Sequence, residues 1–385
     1  MYAHENHATS GSHARVAPGS TIAINYEVVG EAGSGNFARV FECRDVRSGA
    51  KVAVKLMKHG FERDADYEQE ILNSVTKNDP QGTSGIVRLL ERVRWQGHAG
   101  LVFGLKGKSL RTARLPMARE QVSTVARDVA SALDFLHFTC RAVHTDLKPE
   151  NILGEINPTA QRSWSVCDFG SASFYNPSQL DNDLITTRPY RAPEVVLKRG
   201  WNYNADTWSL GCVLYELFTG RKLFDAQTDA EHLELIQARL GPLPASMHPP
   251  RSFMGRAHRV QPLKEELARE PAFLDLLLKL LQVDPHLRIR CGEVSKHAFV
   301  KGSEPAPAAT EPMKPFASRL STMTASAVNV PMGPKAEVHG LTAGATYRLL
   351  KRDAGLPHPS AFPQPSIVNG MGRTIMSPAM PTFGR

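Results

Sequence analysis

The hydrophobic period of this 385-residue chain changes once, between residues 105 and 117, and that change limits the folds open to it. Up to residue 105 the apolar residues come in short β-branched or aromatic runs: NYEVVG, ARVFECRDV, KVAVKLM, IVRLLERVRW and GLVFGL. Turn residues separate them, which predicts strands over 22–105. One helix, at about 62–76, interrupts them. From 117 onward Val122, Val125, Val129, Leu133 and Leu136 fall at helical spacing, so an amphipathic helix is expected to end just before His144. NADTWSLGCVLYELFTG (204–220) is apolar nearly all round and predicts a buried helix. DAEHLELIQARLG and EPAFLDLLLKLLQVD predict two more, the first closed by Gly241. The expectation is an α+β chain with a small β-rich N-lobe (22–105) and a larger helical C-lobe (106–301).

The two ends read differently. Residues 1–20 are polar, and 302–385 are rich in Pro, Ala, Ser and Met without a period, so both are expected to be disordered. TYRLLKR (346–352) is the tail's one candidate docking helix. No run of apolar residues is long enough for a membrane span, and the N-terminus lacks the apolar core of a secretory signal. Five scattered cysteines without metal-ligand spacing fit a reducing compartment. A nuclear or cytoplasmic protein is expected, neither secreted nor membrane-bound. The net charge is +8, and residues 302–385 supply +4 of it through eight Lys/Arg against four Asp/Glu. The basic residues are scattered, not interleaved with aromatics on one face, so no direct nucleic-acid binding is expected.

The chemistry-bearing stretches sit where the two lobes would meet. GSGNFARV (33–40) lies between predicted strands. Its glycines let a backbone approach phosphate oxygens and offer N–H groups to them. A strand on both sides argues against a dinucleotide-binding fold, which needs a helix after the glycines. In VAVK (52–55), Lys55 is a strand lysine able to place a point charge on phosphates. In EQEIL, Glu68 precedes Ile71 and Leu72 by three and four residues, so it faces the same side and can pair with Lys55; Glu70 fits that pattern less well. HTDLKPEN (144–151) offers Asp146, Lys148 and Asn151, and CDFGSA (167–172) offers Asp168. Carboxylate and amide oxygens suit a hard cation such as Mg²⁺. Any one of these acids alone could be a surface charge or a helix cap.

Their joint order is harder to explain that way. The Gly-rich loop, VAVK, helix Glu, HTDLKPEN, DFG and RAPE follow one another over residues 22–301 as in a eukaryotic protein kinase, which the chain resembles. Ala192-Pro193-Glu194, the DxWSxG run Asp206–Gly211, and Arg288 also match. The resemblance implies a two-lobed kinase fold using ATP and Mg²⁺ to phosphorylate proteins. It makes Asp146 the group that orients the substrate hydroxyl, with Lys148 on the γ-phosphate and Lys55, held by Glu68, on the α- and β-phosphates. It gives Asn151 and Asp168 to the metal. It places Gly33, Gly35, Val40, Ala53, Phe103 (the gatekeeper), Gly104, Lys106 and Leu153 around the nucleotide, with main-chain groups of Gly104 and Lys106 on the adenine. Ala38 replaces the third glycine of the family loop.

TTRPYRAPEVVLKRGW, with its Arg191, is similar to the CMGC group. EHLELIQARLG and PLKEEL resemble the LAMMER-type (CLK-type) dual-specificity kinases, although only Glu231, His232, Leu233, Leu240 and Gly241 of the signature helix agree. Pre-mRNA-processing and Dyrk-type kinases are near alternatives; Leu184 stands where the Dyrk type has its autophosphorylated tyrosine. A pseudokinase scaffold would have lost Lys55, Asp146, Asn151 or Asp168, and none is lost. The resemblance implies arginine/serine-rich splicing factors as protein substrates, phosphorylated on Ser or Thr with Tyr in autophosphorylation; a monomer is expected. Glu265, Glu266 and Glu270 are candidate acidic contacts for such substrates, and a polar helix face explains them equally well. Thr145 stands where most kinases have an arginine that receives an activation-loop phosphate. The LAMMER type shares the threonine, which implies an enzyme competent without that phosphate. Thr186 and Thr187 remain candidate phosphosites.

Overall fold

A computed structural model describes residues 12–157, 159–176, 182–247 and 260–302. Residues 1–11 and the tail from 303, including the TYRLLKR segment, lie outside the described residues. Strands β1 (Thr21–Ile22), β2 (Tyr26–Ser34), β3 (Ala38–Asp45), β4 (Lys51–Met57), β5 (Leu89–Trp95) and β6 (His98–Gly104) form one sheet. Its order is β1-β2-β3-β4-β6-β5, with every neighbouring pair antiparallel. Successive side chains alternate between faces. Val52, Val54 and Leu56 pack on one face with Tyr26, Val28, Phe41 and Val102. The other face carries Ala53, Lys55 and Met57. Helix α1 (Glu62–Asn78) packs its Ala65 there against Met57 and Leu101. Acidic Glu62 and Asp64 in its first turn and Lys77 in its last complement the helix dipole. Its later buried residues Ile71, Leu72 and Val75 join the apolar cluster of the C-lobe, so α1 bridges the two lobes.

Two expectations need correction here. Residues 12–20 are not simply a loose leader: Ala14 is 2% exposed and packs with Ile22 and Tyr26. Its carbonyl accepts from Arg39 Nη1 at 2.9 Å, and Val28 N–H donates to Ser20 O at 2.8 Å. Tertiary contacts hold this segment, and no local period announces them. The run IVRLLERVRW is a strand only from Leu89. Its first two residues turn to the other lobe, where Val87 N–H donates to Val166 O at 3.0 Å.

The C-lobe is helical around a buried centre. Helix α2 (Arg119–Asp134) runs on into a π turn at Phe135–Thr139. Short strands β7 (Ala142–Val143), β8 (Ile152–Gly154), β9 (Trp164–Val166) and β10 (Ser173–Phe174) pair as β7–β10 and β8–β9. Then come α3 (Pro193–Val196), α4 (Asn204–Thr219), α5 (Asp229–Leu240), α6 (Leu263–Glu266), α7 (Pro271–Leu280), α8 (Cys291–Val294) and α9 (Ala298–Lys301). Every residue of α4 from Asn204 to Leu217 is buried, as its all-round apolar sequence requires. Gly220 ends α4 in the left-handed conformation at φ 76°. Gly211 lets α7 approach closely: a Cβ there would stand 2.9 Å from Leu281 Cδ2 and 3.1 Å from Leu280 Cβ. Arg288 is locked beside α4, bidentate to Glu194 at 2.5 and 2.6 Å and bonded to Asn204 O at 3.0 Å and Gln282 O at 2.6 Å.

Candidate active site

The sheet register sets the upper wall of the inter-lobe cleft. Val40 pairs with Lys55 across β3–β4, Gly33 with Val40 across β2–β3, and Ala53 with Phe103 across β4–β6. Leu105 N–H donates to Lys51 O, which makes Val52–Gly104 a wide pair of the ladder. The amide and carbonyl of Gly104 therefore point away from β4. An added Cβ at Gly33 would meet nothing within 4 Å, so the protein's own packing does not demand glycine there. Ala38 is tolerated in place of a glycine because its methyl is buried with Met57, Ala65 and Leu101. Leu153 lies on β8 below, and the side chain of Lys106 pairs with Glu155 at the end of that strand.

Lys55 is the hub of the cleft. Its Nζ donates to Glu68 Oε1 at 2.9 Å, Glu68 Oε2 at 2.8 Å and Asp168 Oδ1 at 2.7 Å. Glu68 is 1% exposed, whereas Glu70 lies on the outer side of α1. Burial opposes the Lys55 charge, but Asp168 and Glu68 outweigh it and raise its pKa. The Lys55 ammonium in turn holds the Asp168 carboxyl well below the usual carboxylate range. Asp168 sits at φ 63°, the left-handed region, in the turn that buries Phe169 against His144 with ring centroids 5.1 Å apart.

The loop carrying Asp146 is pinned from beneath. Asp206 at the start of α4 accepts from His144 N at 2.7 Å, Thr145 N at 2.9 Å and His137 Nε2 at 2.8 Å. These bonds hold Thr145 at φ 67°, a costly conformation for a β-branched residue. Asn151 Nδ2 donates to Asp146 O at 2.9 Å. Its amide oxygen accepts no hydrogen bond among the described residues. Lys148 Nζ lies 2.6 Å from Asp146 Oδ2. Burial disfavours the Lys148 charge, and Asp146 reverses that and raises its pKa.

The activation segment docks on the same loop. Thr187 gives both its amide and its hydroxyl to Asp146 Oδ1, at 2.9 and 2.8 Å, and its hydroxyl accepts from Lys148 Nζ at 3.2 Å. Thr145 Oγ1 donates to Ser171 O at 2.6 Å, and Thr186 Oγ1 donates to Thr145 O at 2.8 Å. Arg191 bonds Thr186 O at 2.9 Å and Asp229 at 2.9 Å. The sequence marked Thr186 and Thr187 only as phosphosites; the structure employs both hydroxyls within the loop, and Thr186 is buried. The anchoring part of Asp206, more than 50 residues from the loop it holds, was also missed.

An ammonium clamped by two carboxylates, a second carboxylate–ammonium pair and an amide oxygen thus face one cleft. A half-exposed carboxylate and an amide oxygen suit Mg²⁺, which keeps several waters and takes its remaining ligands from phosphates. Among the described residues no group of three or more His, Cys, Asp or Glu forms a self-sufficient metal cage.

Comparison with known proteins decides the family. The protein kinase domain matches residues 26–300. The dual specificity protein kinases CLK1 of Mus musculus and of Homo sapiens are each 34% identical to this chain over 326 residues, 73% of it and 67% of them. The dual specificity kinase lkh1 of Schizosaccharomyces pombe is 29% identical over 336 residues, 74% of this chain and 48% of its own. The crystal structure of another kinase domain superposes with a TM-score of 0.65 at 28% identity, covering 75% of this chain and 98% of that one. The chain belongs to the protein kinase family, CLK type.

Within this kinase the agreeing residues of the signature helix have structural work. Glu231 N–H is capped by Thr228 Oγ1 at 3.1 Å, and its carboxylate returns to Gln227 N–H at 2.7 Å. His232 is fully buried and donates to Arg191 O at 2.8 Å; burial pushes its pKa down to about 4. Leu235 and Ile236 keep the middle of the helix apolar and buried. Two of the three candidate substrate acids are occupied internally. Glu266 holds Arg221, Arg239 and Tyr215, and Glu270 pairs with Arg119 at 3.1 Å. Among the described residues no helix is long and apolar enough to cross a membrane.

Proposed function

We propose that this kinase transfers the γ-phosphoryl group of ATP to serine or threonine hydroxyls of arginine/serine-rich proteins of the splicing machinery, as a monomer acting in the nucleus, the cytoplasm or both, with tyrosine accepted in autophosphorylation. The observation that carries the catalytic part is the joint assembly of the Lys55–Glu68–Asp168 cluster and the Asp146–Lys148–Thr187 cluster. Bound ATP would supply the phosphoryl group, with Mg²⁺ neutralising its charge, and Asp168 and Asn151 would hold the ion. Lys55 sets a positive charge beside the α- and β-phosphates, and Glu68 fixes its direction. Gly33, Gly35, Val40, Ala53, Phe103 and Leu153 enclose the nucleotide, and the main chain of Gly104 and Lys106 meets the adenine. Asp146 orients the substrate hydroxyl and takes its proton, while Lys148 neutralises charge on the transferring group. Thr145 in place of arginine meets the activation segment through neutral hydrogen bonds with Ser171 and Thr186, which supports a kinase competent without a phosphate at that position. The substrate class is tested by comparing phosphate transfer to an arginine/serine-repeat peptide and to a generic basic protein. A clear preference for the repeat is expected; equal transfer would defeat the substrate assignment while leaving the kinase.

A further inference from the structure

The loop over 33–40, with Ala38 in place of its third glycine, is tied to the start of α1 by side chains and by backbone. Phe37 sets its ring against Phe61, the residue just before α1, with centroids 5.3 Å apart and planes at 47°. That spacing lies in the attractive range for an aromatic pair. Lys58 N–H donates to Phe37 O at 2.8 Å, and Phe61 N–H donates to Lys58 O at 3.2 Å, so backbone bonds run from the loop to the helix. Gly35 N–H donates to Ala38 O at 2.9 Å and closes the loop on itself. Ala38 is buried with Met57, Ala65 and Leu101, and Phe61 packs against the same cluster.

Phe61, Ala65 and Glu68 follow one another by four and three residues, so they share the inward side of α1. Glu68 holds Lys55, and Lys55 pairs with Val40 across β3–β4. The loop and the charged pair beneath it are thus fixed to one helix. A glycine in such a loop keeps backbone freedom that is lost when the loop encloses a ligand; an alanine held by packing has lost much of it beforehand. We propose that Phe37, Ala38 and Phe61 are positioning residues for ATP, which lock the loop to α1 and preset it over the nucleotide. Restoring the third glycine then weakens ATP binding instead of improving it.

This inference rests on the reading of residues 33–40 as the cover of the nucleotide and is tested apart from it. KM for ATP and for a generic basic protein are measured by transfer of labelled phosphate, with melting temperatures beside them. Phe37→Ala and Phe61→Ala are each expected to raise KM for ATP roughly 3- to 10-fold, the worth of one aromatic pair, and to leave KM for the protein acceptor unmoved. The double variant should be no worse than either single one, because the two rings make one contact. Phe61→Tyr keeps the ring and should restore the wild-type KM. Phe37 is a half-buried loop residue, so Phe37→Ala beside Phe61→Tyr carries the test if Phe61→Ala folds poorly. Ala38→Gly should also raise KM for ATP. Gly33→Val puts its side chain where nothing lies within 4 Å and reports on the nucleotide reading alone. If KM for ATP is unmoved in Gly33→Val, that reading fails and the inference with it. If it rises there but not in Phe37→Ala and Phe61→Ala, the inference is overturned. Single effects that multiply in the double variant, an equal rise in KM for the acceptor, or an unchanged or lower KM for ATP in Ala38→Gly overturn it as well.

Discussion

Thr187 is where a small perturbation should read out directly on the chemistry. Its hydroxyl donates to Asp146 Oδ1 at 2.8 Å and accepts from Lys148 at 3.2 Å, tying together the two groups that the proposed mechanism sets on the substrate hydroxyl and the transferring phosphate. Thr187→Val keeps the volume and branching and removes only these bonds. A hydrogen bond to a carboxylate is worth roughly 1.5–3 kcal/mol. The backbone N–H of residue 187 would still hold Asp146 Oδ1 at 2.9 Å, so the lower end applies. At about 1.4 kcal/mol per decade, the expected fall in kcat is about 10- to 30-fold. Thr187→Ser should recover most of it, because the hydroxyl returns. Steady-state phosphorylation of a peptide by the three proteins, with melting temperatures beside them, separates a positioning role from a folding defect. An unchanged kcat in Thr187→Val, or a serine variant no better than valine, would refute the reasoning.

Three further outcomes follow from the same geometry. Glu194→Gln leaves the buried Arg288 charge without its partner and should cost about 3–5 kcal/mol, lowering Tm by about 6–10 °C in a melt. His137 has its pKa raised to about 9: burial opposes its charge, but the bond to Asp206 outweighs it. Its contribution to stability is complete below pH 6.5 and is lost as the pH rises through about 9. Chemical denaturation across that window should show stability falling by up to about 1.4 kcal/mol per pH unit, and His137→Gln should flatten the slope. Treating the purified enzyme with phosphatase should leave most of its activity, because Thr145 meets the activation segment through neutral hydrogen bonds; near-total loss would contradict that.

The lobe order and the cleft residues were legible because each belongs to a short contiguous motif. Glu68 was separable from Glu70 because a helix sorts residues by face, and only Glu68 shares a face with Ile71 and Leu72. The buried helix over 204–220 was legible for the same reason in reverse: an apolar surface all round leaves no exposed face. What escaped was set by partners distant in sequence. Arg111 and Glu216 are 105 residues apart, and nothing near either predicts the other. Ala14 is small and sits among polar neighbours, so its burial depends on a pocket built by strands that follow it. Ile86 and Val87 carry strand-like side chains, but their backbone bonds go to β9 in the other lobe. The hydroxyls of Thr186 and Thr187 show no pattern, because a loop residue's role depends on what the loop folds against.

The central claim is that the two charged clusters of the cleft work together to move a phosphoryl group. Transfer of label from γ-radiolabelled ATP with Mg²⁺ to an arginine/serine-repeat peptide tests it most directly, with Asp168→Ala alongside. The account predicts transfer by the wild-type enzyme and its loss in a folded Asp168→Ala protein. Equal labelling by both, or none by a folded wild-type enzyme, would contradict it.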